Sequence, residues 1–218
     1  DSAKHRAIKN IGGIANVTLV GKRIKTLAFD TGPGNCLMDL LVERITKGKM
    51  KYDREGLMSR KGEINHGLVR KLWNQPYFKK KPPKSTGREL FNWNFLKQTC
   101  GSDLEKKPFD VLASLNFFTA FSIFESIRLF SSHEPSEVIV SGGGVKNKVL
   151  MTHITNLFAP ISVQSIEKWG IPAQAKEPLA FAFFGLRTLQ KKVNHLPHTT
   201  GARKAHILGQ LIQVAKRC

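Results

Sequence analysis

The sequence predicts an α/β fold, a mixed sheet with flanking helices, and three stretches carry the prediction. Ile24 to Phe29 is a β-favouring run that passes through Asp30-Thr31-Gly32-Pro33-Gly34-Asn35 into a helical run, Cys36 to Thr46. Val138-Ile139-Val140 passes in the same way through Ser141-Gly142-Gly143-Gly144 into a helical run ending near Leu157. Between His5 and Phe29, Gly21-Lys22 separates two extended stretches, which predicts a hairpin.

The elements follow in order. His5 to Val20 reads as one extended segment, and Gly12-Gly13 inside it predicts a bulge or a close approach of backbone to ligand. The hairpin brings Asn10 and Asn16 near Asp30. Leu37, Leu40, Leu41 and Ile45 have helical spacing, and a charged connection, Gly48 to Arg60, follows. Ile64, Leu68, Leu72 and Trp73 predict a helix that stops at Pro76. Pro82 to Glu89 reads as a loop into a helix through Phe91, Phe95 and Leu96, with Thr86 and Glu89 as a capping box. Pro108 to Phe130 is dense in apolar and aromatic residues and predicts a deeply buried helix. Ile161 to Val163 predicts a further strand, and Ala173 to Leu189 a second apolar helix with Glu177 near its positive end. His195 to Leu208 is turn-rich, and Leu211 to Cys218 is a basic end.

Composition narrows the function. The chain has 218 residues, 41% of them hydrophobic, enough for a substantial core. No run reads as membrane-spanning and no apolar leader core opens the chain. The chain begins at Asp1 rather than Met, as a processed end or the edge of a longer protein would. The three cysteines, Cys36, Cys100 and Cys218, are far apart, which argues against a disulfide framework or a zinc site and for a reducing, cytoplasmic setting. The formal net charge of +19 raises nucleic acid as a partner. The lysines are scattered and no aromatic-basic signature accompanies them, which argues for a solvated surface instead.

Two turns carry the candidate chemistry. A carboxylate at a strand end, Asp30, beside a tight turn whose N–H groups suit an anion, reads as a general base next to a phosphoryl donor. The competing account is an Asx-type turn with Asp30 as a cap. The Ser141 to Gly144 turn lets a flat ligand or phosphate approach the backbone, but has neither the lysine of a Walker loop nor the glycine spacing of a dinucleotide site.

Taken together, Asn10 to Thr18 (Asn-Ile-Gly-Gly-Ile-Ala-Asn-Val-Thr), Phe29 to Asn35 (Phe-Asp-Thr-Gly-Pro-Gly-Asn), Lys84 to Asn92 (Lys-Ser-Thr-Gly-Arg-Glu-Leu-Phe-Asn) and Ser141 to Asn147 (Ser-Gly-Gly-Gly-Val-Lys-Asn) resemble, in order and spacing, the anhydro-N-acetylmuramic acid kinases. Lys176-Glu177 and Thr200-Gly201-Ala202 are similar to that family's C-terminal blocks. The resemblance implies an RNase-H-like lobe of the actin-like ATPase kind, with a mostly helical insertion at about 50–107. It implies that residues 1–218 are the C-terminal lobe of a two-lobe sugar kinase, since the family's Gly-Thr-Ser-x-Asp-Gly block is missing here. Gln174 and Pro178 depart from the family's pattern around Glu177.

The implied reaction uses ATP, Mg²⁺ and water to open a 1,6-anhydro ring and phosphorylate O6. Asp30 is implied as the catalytic base, and Glu177, Asn10 and Asn16 as sugar contacts. Gly12, Gly13, Thr31, Gly32, Gly34 and Asn35 are implied on the phosphate side, and Gly142, Gly143, Gly144 and Asn147 on the adenosine side. No protein metal ligand is expected, and a homodimer is left open. The alternative is a non-catalytic basic remnant of the same fold that binds nucleotide or nucleic acid.

Overall fold

A computed structural model describes residues 4–22, 24–173 and 175–212. Gln174 and Cys218, singled out above, lie outside the described residues. The chain runs β1 (Arg6–Ile11), β2 (Ile14–Val20), β3 (Leu27–Pro33), α1 (Cys36–Ile45), α2 (His66–Trp73), α3 (Pro76–Lys79), α4 (Trp93–Cys100), α5 (Asp103–Lys106), α6 (Pro108–Phe130), β4 (Glu137–Ser141), α7 (Lys148–Phe158), β5 (Ser162–Ser165), α8 (Lys176–Leu189) and α9 (Pro197–Thr200). The five strands form one mixed sheet in the order β3-β2-β1-β4-β5. β1, β2 and β3 are an antiparallel meander, while β4 and β5 join parallel to β1. This is the strand order of an RNase-H-like lobe, as expected.

The first hairpin is a correction. His5 to Val20 is two strands, not one, and Gly12-Gly13 is the turn between them. A bulge does occur, but at Ala15/Asn16 opposite β3. The second hairpin, β2 to β3, turns in the Gly21 region as predicted. Asp30 is not at a strand end: β3 continues through Pro33. The capping box is also displaced. α4 begins at Trp93, and Asn92 caps it by accepting the Phe95 N–H at 3.1 Å.

One face of the sheet carries Ala7, Ile11, Ala15, Val17, Leu19 and Phe29, all buried. α6 packs on the sheet at β2 and β3, and on its other sides meets α1, α2 and α7. By length and composition α6 could cross a membrane, contrary to the expectation of no such run, yet 72% of its apolar window is buried inside the protein. Its polar side chains show why it is a core helix. Thr119 donates to the Gly34 carbonyl at 2.9 Å, and Asn116 donates to Ser59 Oγ at 3.1 Å and Asn147 Oδ1 at 3.3 Å. These bonds tie surrounding loops to α6, satisfying groups that a lipid environment would leave unpaired. Residues 50–107 hold α2 to α5 joined by turns and loops, and contribute no strand to the sheet.

α8 forms as predicted, but none of its residues is buried: Phe181 is 72% exposed and Leu189 64%.

The join between the first hairpin and α1 is close. A Cβ at Gly34 would stand 2.3 Å from the Gly12 carbonyl oxygen, with backbone on both sides of the contact. Gly34→Ala is therefore expected to cost about 3 kcal/mol, read as a lower denaturant midpoint at an unchanged m-value. Gly143→Ala, where a Cβ meets nothing within 4 Å, should stay within about 0.5 kcal/mol of the parent.

Candidate active site

Strand register assembles the site. Asp30 stands opposite Asn16, Asn16 opposite Asn10, and Asn10 opposite Ser141. Directly opposed residues share a face of a sheet at about 5 Å spacing, so this polar row crosses four strands on the face away from α6. Glu177, in the first turn of α8, reaches the row: its Oε1 accepts from Asn10 Nδ2 at 3.2 Å. Asn10, Asn16, Asp30 and Glu177, separated by up to 167 positions in the chain, thus gather in one place.

β3 is an edge strand, and residues 84–86 lie along its open side. The Asp30 N–H donates to the Lys84 carbonyl at 3.1 Å, and the Thr86 N–H donates to Asp30 Oδ2 at 2.9 Å. The Tyr77 hydroxyl donates to the Asp30 carbonyl at 2.7 Å. Burial raises the Asp30 carboxyl above its ordinary range; the Thr86 N–H and Lys9 oppose the rise, and Glu89 adds to it. A cavity of about 370 Å³ opens beside Asp30, lined also by Asn16, Ser85, Thr199 and Thr200.

The expected anion cradle at the start of α1 is not free. The N–H groups of Gly34, Asn35 and Cys36 donate to the Gly12 and Gly13 carbonyls at 2.8–3.1 Å. Thr31 is fully buried, accepting from Lys9 Nζ at 2.9 Å and donating to the Ala15 carbonyl at 3.1 Å. Gly32 sits at φ 138°, where a Cβ would meet Phe78 at 2.7 Å. These residues join the hairpin to α1 and α6. Among them Asn35 and Cys36 line a groove.

That groove, of about 660 Å³, lies between α1, the Arg88–Trp93 segment and the turn after β4. The three glycines of the turn differ. Gly142 and Gly144 are packed on Ile11, each with less than 3 Å for a Cβ, whereas Gly143 faces open space. Asn147 caps α7, accepting the Leu150 N–H at 3.0 Å, and borders the groove. Arg88 stands beside Gly13, its Nη2 3.5 Å from where a Cβ would be. Asp39, in the groove wall, is pushed up to about 6 by burial, against the pull of Arg88.

Sequence patterning passed over Lys9, which is wholly buried. Burial, then Lys176, holds its ammonium well below the usual lysine range, and Asp30 pulls the other way. A signal existed: alternation sets Lys9 on the same side as Ala7 and Ile11. Lys84 was passed over as well. Its Nζ has no hydrogen-bond partner and sits 4.8 Å from the Tyr77 ring centre and 4.9 Å from that of Phe130, and burial lowers it to about 8.

A sheet in this order, with a Gly-Gly hairpin turn and a triple-Gly turn at the same edge, defines a lobe of the actin-like ATPase fold. Within that class the chain belongs to the anhydro-N-acetylmuramic acid kinase family, whose model matches residues 1–214. The enzyme of that name from Streptomyces coelicolor is 40% identical over 205 residues, covering 94% of this chain and 52% of its own length. Those of a Cyanothece species and of Francisella tularensis subsp. novicida are 39% and 38% identical, with 57% and 56% of their lengths covered. The chain spans little more than half the length of the curated relatives it matches.

Proposed function

We propose that this chain is the nucleotide- and base-bearing lobe of a sugar kinase that opens a 1,6-anhydro-N-acetylmuramic acid ring with water and phosphorylates O6. The observation that carries the reading is the Asp30 carboxylate, half-buried, raised above its ordinary range by burial and lodged in a polar row with Asn16, Asn10 and Glu177. A base works best with a pKa near the working pH.

Asp30 takes a proton from the water whose oxygen bonds the anomeric carbon. The C1–O6 bond breaks, and O6 forms its new bond to the γ-phosphorus of ATP while the bond from that phosphorus to the bridging oxygen breaks and ADP leaves. The Thr86 N–H fixes one carboxylate oxygen and leaves the other to receive the proton. Asn10, Asn16 and Glu177 supply amide and carboxylate groups for sugar hydroxyls.

The groove suits a nucleotide in size, within the range of small-molecule sites, and Gly143 leaves open backbone for the adenosine. ATP, when bound, supplies the phosphoryl group. Among the described residues no group of three or more His, Cys, Asp or Glu is arranged to hold a metal ion. Magnesium commonly relies on phosphate oxygens with few protein ligands.

The test is calorimetry of the chain with ATP. Saturable binding is expected, weakened about tenfold or more by Gly143→Val, because a branched side chain would fill the space over the turn. Equal affinity in the variant would show that the turn serves only the fold. Binding of polyanions that collapses steeply with salt, without ATP binding, would favour the basic remnant instead.

A further inference from the structure

The Lys84 to Asn92 block is only partly used by the site above. Thr86 holds Asp30, Phe91 is fully buried among Tyr77, Phe78 and Phe95, and Asn92 caps α4. Arg88, in the same block, does none of this. It is exposed, and among the described residues it makes no hydrogen bond and no ion pair. Because Phe91 and the Thr86–Asp30 bond anchor the block on both sides of it, the guanidinium is presented at a set place: against the Gly12–Gly13 turn, in the wall of the groove that Gly143 borders elsewhere.

We propose that Arg88 is a phosphate-binding residue, placed to take oxygens of the nucleotide whose adenosine lies along Gly143. The inference rests on the nucleotide reading of this groove and adds a named cation to it. Three features support it. The Gly12 and Gly13 carbonyls point at the start of α1, where Gly34, Asn35 and Cys36 donate to them, so their lone pairs are turned from an anion at Arg88. The groove lining sets Asp39, Glu43, Asp53 and Glu55 against Lys51 and Lys146, and Lys51 is paired with Glu43, so Arg88 is the cation that stands at the Gly12–Gly13 turn. Asp53 is already occupied, accepting the N–H groups of Met58 and Ser59 at 2.8 and 2.9 Å, and does not claim Arg88. A guanidinium fork suits two phosphate oxygens at once, which a lysine cannot match.

The experiment compares ATP with adenosine on the 218-residue chain, by titration followed in NMR spectra so that weak binding is measurable. Arg88→Met should weaken ATP by about tenfold or more while leaving adenosine within about twofold. Arg88→Lys should fall between, and Gly143→Val should weaken both ligands. ATP bound by Arg88→Met as tightly as by the parent would overturn the assignment and leave the nucleotide reading standing. Parent protein that binds neither ATP nor adenosine would overturn both. Since Arg88 is exposed, its removal is not expected to disturb the fold, which unchanged amide spectra away from the groove would verify.

Discussion

Asp30→Asn, introduced into a protein that carries both lobes, is expected to lower kcat by about 10²–10⁴-fold with little change in KM. Asn keeps the outline of the side chain, and its Oδ1 can still accept the Thr86 N–H that now bonds Asp30 at 2.9 Å. It cannot take a proton from water, so the loss falls on the transition state and not on substrate binding. The fold should not suffer. Folding raises the Asp30 pKa, chiefly by burial, so the charged form is the one the fold disfavours. Its contribution to stability is least favourable above the raised pKa, and improves as pH falls through that value toward the ordinary carboxylate value. At neutral pH the Asn variant should therefore melt at or above the parent temperature, with the gap closing in acid. Lost turnover with retained or raised Tm is the signature of a base rather than of a structural carboxylate. In the parent, kcat/KM should fall on the acid side at a pH above the usual carboxylate range. A variant with near-normal kcat would remove Asp30 from the role of base.

The second large effect concerns the chain by itself, which is expected to show no turnover with ATP, Mg²⁺ and 1,6-anhydro-N-acetylmuramic acid. Phosphoryl transfer of this kind depends on positioning and on charge neutralisation from all sides of the triphosphate. In the proposed function the described residues supply a base in Asp30, a polar row for sugar and an open groove with the Arg88 guanidinium in its wall. They supply no group of three or more acidic, His or Cys side chains for a metal. The cavity beside Asp30 is small, about 370 Å³, and open, so water has access to any phosphoryl group brought there. The chain should fold nonetheless, since the sheet, α6 and the aromatic cluster around Phe78 and Phe91 form a core within it. Mixing it with a separately made complementary lobe from a relative should restore phosphorylated sugar, detectable by mass. Product from the chain alone would sink this prediction. Product from neither the chain nor the mixture, with both pieces folded, would count against the proposed division into lobes.

How much of this was readable in the chain depends on the range of the forces involved. Local signals did well. The strand–glycine–helix units at Phe29 to Thr46 and Val138 to Leu157, and the long helix from Pro108, follow from periodicity and turn chemistry acting over a few residues. The nearness of Asn16 to Asp30 follows from a single hairpin. Block order and spacing, set by residues far apart but kept in sequence, pointed to the family that the chain proved to belong to.

Wherever a residue's meaning depended on what packs against it, the chain alone was silent. Gly12-Gly13 makes a turn because β1 folds back onto β2, and the β4 strand that covers the other edge of β1 comes from residues 137–141, far beyond the first 20. β3 runs past Asp30 although Gly32 and Pro33 are ordinary strand breakers, because β2 pairs with it there, Ala15 opposite Gly32 and Ile14 opposite Pro33. The N–H groups at the start of α1 were expected to face an anion, and the tertiary fold gives them to two carbonyls instead. Gly142, Gly143 and Gly144 are identical in composition, yet Ile11 packs on the outer two and leaves the middle one open. α8 is as apolar as a core helix and has no buried residue, because apolarity states a tendency to be covered and only the packed chain decides whether anything covers it.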